Sequence, residues 1–229
     1  MRGLVIHQDE HVIAIDKPAG LSSQGGRIAA HTLDDLLAAF AKKSGARPRL
    51  IHRLDRDTSG VILAARSQPA AAFLGKAMMA RRIRKTYLAI VAPGAPTPPS
   101  GFIEAALRRE LVGREAYVRV SAPEHRDAQT ATTRYRTVAA SATAALVELN
   151  PLTGRMHQLR VHLASIGRPI AGDARYGGAL VLAGVPIPRL MLHAAALVFP
   201  NPGGGETRVE APPPKDMEAL LAHLGLASV

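Results

Sequence analysis

Apolar residues recur along most of this chain in short alternating runs, and four stretches carry helical spacing instead. Val12 to Ile15 alternates weakly and ends at Lys17-Pro18-Ala19-Gly20, which predicts a strand followed by a turn. Thr32 precedes Leu36, Leu37 and Phe40 at helical spacing and forms a capping-box pattern with Asp35, so a helix is expected over 33–43. The polar segment from Ile51 to Gly60 reads as a loop, and Val61 to Ala65 as a short buried strand. Ser67 is placed to cap a helix running to about Arg82, with Ala72, Leu74, Ala77 and Met78 available for packing.

The second half repeats these themes. Arg84 to Val91 predicts a strand, and the four prolines between Pro93 and Ser100 predict a loop. Strand, turn and strand are expected over 102–120, and an antiparallel pair over 130–138 and 144–149. Met156 to Ile166 has helical spacing and a stop signal at Gly167. A strand over 190–199 and a short helix over 215–224 complete the chain. Many strands, dispersed helices and no strict β-α-β alternation predict an α+β fold: a mixed, largely antiparallel sheet core with flanking helices and loops.

Composition narrows the function. Apolar residues make up 47% of the 229, enough for a real core. There is no cysteine, which excludes disulfides, cysteine nucleophiles and thiolate metal sites. No apolar run reaches membrane-spanning length, and His7, Asp9, Glu10 and His11 interrupt the N-terminus where a signal peptide would need an apolar core. A cytoplasmic protein is expected. Twenty-nine basic residues against 18 acids give a formal charge of +11, which suggests a polyanionic partner: nucleic acid, an anionic membrane surface or acidic protein. Four Tyr, four Phe and no Trp are few rings for gripping single strands by stacking, so phosphate contacts and shape should dominate any RNA binding.

Two segments are dense enough in polar groups to hold chemistry. His52-Arg53-Leu54-Asp55-Arg56-Asp57-Thr58-Ser59-Gly60 must be either a solvated loop or the lining of a polar site. A Ser-His-Asp triad from His52, Asp55 and Ser59 is disfavoured, because sequence neighbours rarely face one another and no G-x-S-x-G elbow is present. Thr153-Gly154-Arg155-Met156-His157-Gln158-Leu159-Arg160-Val161-His162 is the second segment, with His157 and Arg160 expected on one helical face. His157 and His162 are poorly spaced for a shared metal, and the glycine turns at Gly25-Gly26 and Gly203–Gly205 lack a phosphate-loop ending.

The first segment resembles the defining motif of the RluA-type RNA pseudouridine synthases. Four further segments match that family in order: Ala14 to Gly20, Lys85-Thr86-Tyr87-Leu88-Ala89, Pro151 to His162, and Arg189-Leu190-Met191-Leu192-His193-Ala194. The resemblance spans roughly residues 11–215. It implies the pseudouridine synthase catalytic fold as a single domain over 1–229, with room for two lobes around a central cleft. Several members of that family carry an N-terminal S4-type RNA-binding module; none is expected before Val12 here, and a monomer is expected.

The same resemblance implies an isomerase that turns uridine into pseudouridine in ribosomal RNA or tRNA, without cofactor or metal. Asp55 carries over as the nucleophile and Arg160 as its ion-pair partner, a phosphate contact being the alternative for Arg160. Tyr87 carries over as the ring that stacks on the flipped uracil, with plain core packing as the alternative. Arg53 would fill the space left by the extracted base, and Leu192 would line a dry pocket. Gly60 would let the backbone turn sharply. His52, Arg155, His157 and Gln158 join the expected substrate-binding set by their place in the motifs. Leu21-Ser22-Ser23-Gln24 and Met156 depart from the family pattern. Target recognition is expected from loops at 22–31, 93–100 and 121–130. The rival reading is an RNA-binding protein of the same fold that has lost catalysis.

Overall fold

The computed structural model describes residues 2–25, 31–41, 45–113 and 115–226. In chain order it contains β1 (Val5–Gln8), β2 (Val12–Lys17), α1 (Leu33–Leu36), β3 (Arg49–Leu50), β4 (Ser59–Ala65) and α2 (Gln68–Met79). There follow β5 (Arg84–Val91), β6 (Ser100–Glu104), β7 (Leu107–Val112), β8 (Glu115–Val120), β9 (Thr132–Ala140) and β10 (Ala145–Pro151). The last elements are α3 (Gln158–Ser165), β11 (Val181–Leu182), β12 (Val185–Pro186), β13 (Leu192–Pro200), β14 (Glu206–Glu210) and α4 (Lys215–His223). The architecture is α+β and mainly antiparallel, as the patterning predicts.

The chain forms two compact units, one of residues 1–85 with 193–213 and the other of residues 86–192 with 214–229. In the first, the strand order is β1-β2-β4-β13, with β3 also on β4 and β14 on β13. All pairs are antiparallel except β4 with β13, which run parallel with His193 opposite Ser59 and Ala194 opposite Gly60. Every residue of β4 is buried, the pattern of a strand covered on both faces. The apolar face of α2 (Ala70, Leu74, Ala77) packs on Val61, Leu63, Leu197 and Phe199. Ser67 caps α2, its hydroxyl accepting the Ala70 N–H at 3.3 Å.

The second unit holds the antiparallel order β5-β10-β9-β6, with Tyr87 opposite Leu149. The hairpin β7–β8 forms a separate two-stranded ribbon. Its base joins Ala131, Val161 and Tyr176 in a small core of Leu107 and Val118.

Three expectations are revised. The helix expected over 33–43 is one α-helical turn with the full Thr32–Asp35 capping box, followed by a 3-10 turn over Leu37–Phe40; residues 42 and 43 lie outside the described residues. The stretch 102–120 holds parts of three strands, because the chain breaks after Glu104 before it enters the ribbon. His157 does not share a helical face with Arg160: it sits before α3 in the left-handed region, at φ 53°.

Candidate active site

Asp55 lies in the first unit, half-buried, on the loop entering β4. Its two chain neighbours are tied to the turn after β2. The Ser23 hydroxyl donates to the Leu54 carbonyl at 2.7 Å and accepts the Leu54 N–H at 3.0 Å. The Arg56 carbonyl accepts the Gly20 N–H at 2.9 Å. Lys17, fully buried, spreads its ammonium over the carbonyls of Pro18, Leu21 and Arg56 at 2.9, 2.8 and 3.0 Å. Three acceptors match the three N–H bonds of the ammonium. Lys17 thereby joins the Lys17–Gly20 turn to the Asp55 loop. The Asp55 carbonyl itself accepts the Thr58 N–H at 3.2 Å, closing a turn.

Gly60 leads out of that turn with φ 106°, and a Cβ there would stand 2.2 Å from the Ala194 carbonyl oxygen. Both the dihedral and the close parallel strand demand glycine. Beside it, the His193 Nε2–H donates to the Ala211 carbonyl at 3.0 Å, so Nδ1 accepts the Ser59 hydroxyl at 2.9 Å. Ser59 and His193 are both buried, and this pair fastens β4 to β13. His52 accepts the Leu63 N–H on Nε2 at 3.2 Å. Burial pushes its imidazole down to about 3, and the nearby Lys85 ammonium adds to that. His52 is thus a neutral brace within the loop. Arg53 is exposed.

Tyr87, Arg160 and Leu192 lie in the second unit. Tyr87 is buried on β5, and Leu192 is buried at the start of β13. Arg160 projects from α3 into a bidentate pair with Asp173, Nε and Nη2 each donating at 2.7 Å. Asp173 is almost wholly buried at 1% exposure. Its Oδ1 also accepts the backbone N–H groups of Arg175 and Tyr176, both at 3.2 Å. Two glycines shape this turn: a Cβ at Gly172 would stand 1.8 Å from the Arg189 carbonyl oxygen, and one at Gly178 would stand 1.9 Å from that of Ile170. The Arg160 guanidinium also lies over the Tyr176 ring, 5.0 Å from its centre.

The neighbouring motif residues divide by exposure. Gln158 is buried and satisfied by Thr153, the Arg155 N–H, the Thr132 carbonyl and Thr133. It pins the turn ahead of α3. Arg155 is exposed, with Nε donating to the Thr130 carbonyl at 3.2 Å. His157 Nδ1 meets the Tyr176 hydroxyl at 2.7 Å. His162 is buried, donating from Nε2 to the Ala105 carbonyl at 3.1 Å and accepting from Thr133 on Nδ1 at 2.9 Å.

With the geometry in view, comparison with known proteins is decisive. Residues 11–165 match the family model described as RNA pseudouridylate synthase. The chain belongs to that family. It is 36% identical over 227 residues to ribosomal large subunit pseudouridine synthase C of Escherichia coli K12, covering 96% of this chain and 70% of that protein. It is 35% identical over 237 residues to ribosomal large subunit pseudouridine synthase D of Zymomonas mobilis, covering 98% of this chain and 73% of that protein. Among solved structures, human RNA pseudouridylate synthase domain containing 4 superposes with a TM-score of 0.82 at 28% identity, over 98% of this chain and 95% of that one. The RluA-type resemblance read from the motifs therefore holds, and the protein is an isomerase acting on uridine in RNA.

Four residues of this pseudouridine synthase escaped the sequence reading as parts of the site: Lys17, Ser23, Asp173 and Tyr176. For Asp173 and Tyr176 a signal existed, since Gly172-Asp173-Ala174-Arg175-Tyr176-Gly177-Gly178 is a polar loop bounded by glycines. For Ser23 there was none.

Proposed function

We propose that this pseudouridine synthase acts on structured ribosomal RNA, with Asp55 as its nucleophile and Arg160 as a cation that takes part in the reaction. The target class rests on the relatives, which are named for the large ribosomal subunit. A cytoplasmic setting accompanies that substrate. The observation that carries the assignment of Asp55 is the way its loop is held: main-chain ties at Leu54 and Arg56, on either side of it, fix the backbone that carries the carboxylate. Such pre-positioning is what a carboxylate needs to attack one atom of a bound nucleotide.

In the proposed reaction the bond from C1′ to N1 breaks, the uracil turns, and a bond from C1′ to C5 forms. The C5 proton leaves and N1 gains one, so the change is a net isomerisation. Tyr87 supplies a ring against the turning base, and Leu192 an apolar wall that keeps water out. Arg53, being exposed, is able to enter the RNA stack and offset part of the few kcal/mol that base extraction costs. Arg155 suits a phosphate contact for the same reason. His52, Gly60, His157 and Gln158 serve by shaping the turns that carry the reacting groups. The protein works as a single catalytic domain and as a monomer.

The test uses ribosomal RNA tritiated at C5 of uridine. The wild-type protein should release tritium without added metal or nucleotide. Asp55→Asn should abolish release while RNA binding, measured by filter retention, persists. Undiminished release by that variant would remove Asp55 from the reaction.

A further inference from the structure

Tyr176 joins three elements of the second unit. Its hydroxyl accepts the Val118 N–H of β8 at 3.1 Å and meets His157 Nδ1, ahead of α3, at 2.7 Å. Its backbone N–H donates to Asp173 Oδ1 at 3.2 Å. Its ring lies beneath the Arg160 guanidinium, 5.0 Å from Cζ, within the distance at which a cation is attracted to a ring face. The ring is also braced edge-on by Tyr117 of β8, at 6.5 Å and 82°. Arg175 covers Tyr117 at 4.6 Å and donates to the Ala116 carbonyl at 2.8 Å.

These contacts divide the work of holding Arg160. The fork to Asp173 fixes the guanidinium within its own plane, and two bonds in one plane do not by themselves set its tilt about the axis of the fork. A ring 5.0 Å from the guanidinium carbon resists rocking about that axis. The hydroxyl is suited to its two partners, because its oxygen accepts from Val118 while the O–H remains for His157. Burial raises Tyr176 above the usual tyrosine range, so the phenol keeps its proton.

We propose that Tyr176 is a positioning residue that sets the tilt of Arg160 and links it to the β7–β8 hairpin. The inference rests on the reading of Arg160 as a participant in the reaction. Tyr176→Phe keeps the ring and cuts both hydroxyl ties; Tyr176→Leu removes the ring as well.

Single-turnover tritium release, with enzyme in excess over RNA, reads the chemical step, and filter retention reads RNA affinity. We expect Tyr176→Phe to slow the step about tenfold and Tyr176→Leu about 100-fold, with Kd changed less than about threefold. A residue acting through Arg160 should have nothing left to lose once Arg160 is altered. Arg160→Lys/Tyr176→Leu should therefore be about as slow as Arg160→Lys alone. A purely structural role would instead make the two losses multiply, and that product would overturn the inference. So would a full rate in both Tyr176 variants, or a loss confined to Kd. A wild-type rate in Arg160→Lys would sink the reading of Arg160 itself, and this inference with it. If thermal melting shows that Tyr176→Leu does not fold, Tyr176→Phe and its double variant with Arg160→Lys decide alone.

Discussion

The loop of Asp55 and the socket of Arg160 show two different kinds of tie. Around Asp55 the ties run through the main chain: the carbonyl and N–H of Leu54 to Ser23, and the carbonyl of Arg56 to Lys17 and Gly20. Around Arg160 they run to the side chain itself, through the Asp173 fork and the Tyr176 ring. The difference suits the chemistry proposed for each. A carboxylate that forms and breaks a bond gains from a backbone fixed on both sides of it. A guanidinium that acts by charge alone can be clamped at its head group without loss.

That contrast can be broken from either side. The largest effect is expected at the socket. Asp173→Asn removes the anionic half of a buried pair, which typically costs about 3–5 kcal/mol. We expect a loss of that order in urea unfolding, and a single-turnover rate lowered about 100-fold, as a small misplacement of a reacting group produces. A rate near wild type would mean that the side-chain clamp does not matter to turnover. Next comes the loop. Lys17→Met takes the ammonium from three carbonyls, of which that of Arg56 keeps the Gly20 N–H, for a cost of about 3 kcal/mol. The rate should fall about tenfold because the Asp55 loop loosens, and unchanged turnover would show that the main-chain ties are redundant.

The most gradual effect concerns pH. His52 titrates near 6.5 when unfolded and is pushed down to about 3 in the fold. Between those values the unfolded chain binds the extra proton, so this contribution is complete above about pH 6.5 and is lost as the pH falls toward 3. The slope from one such group is at most about 1.4 kcal/mol per pH unit. Burial lowers His162 in the same direction. His52→Gln should flatten the acid limb of stability measured by urea unfolding, and an unaltered limb would show that His52 is not the brace described.

Much of the fold was legible because local and tertiary demands agreed. Ser67 caps α2 where the pattern placed it, and the alternation over 130–149 became the β9–β10 pair. Where the signal is thin, elements were missed. β1 carries His7 and Gln8, and β14 reads Glu206-Thr207-Arg208-Val209-Glu210 with only Val209 buried. Such short polar strands are specified by a neighbour's open edge and not by their own sequence. The helix expected over 33–43 shortened because the turn after Leu36 tightens to 3-10. The motifs named Asp55, Tyr87 and Arg160, but periodicity could not pair Arg160 with Asp173, which comes from a loop beyond the helix. Ser59 with His193 is a still longer reach, 134 residues along the chain.

The parallel pairing of β4 with β13 has a consequence for biosynthesis. Gly60 reaches the end of the ribosome's tunnel long before Ala194, the residue packed against it. At about 5–20 residues per second, the intervening segment takes roughly 7–27 s to translate. For that interval the apolar strand behind Asp55 has one stretch of backbone unpaired on a nascent chain, the kind of edge that recruits the wrong partner. An enzyme of this topology can mature RNA only after most of its own message has been read.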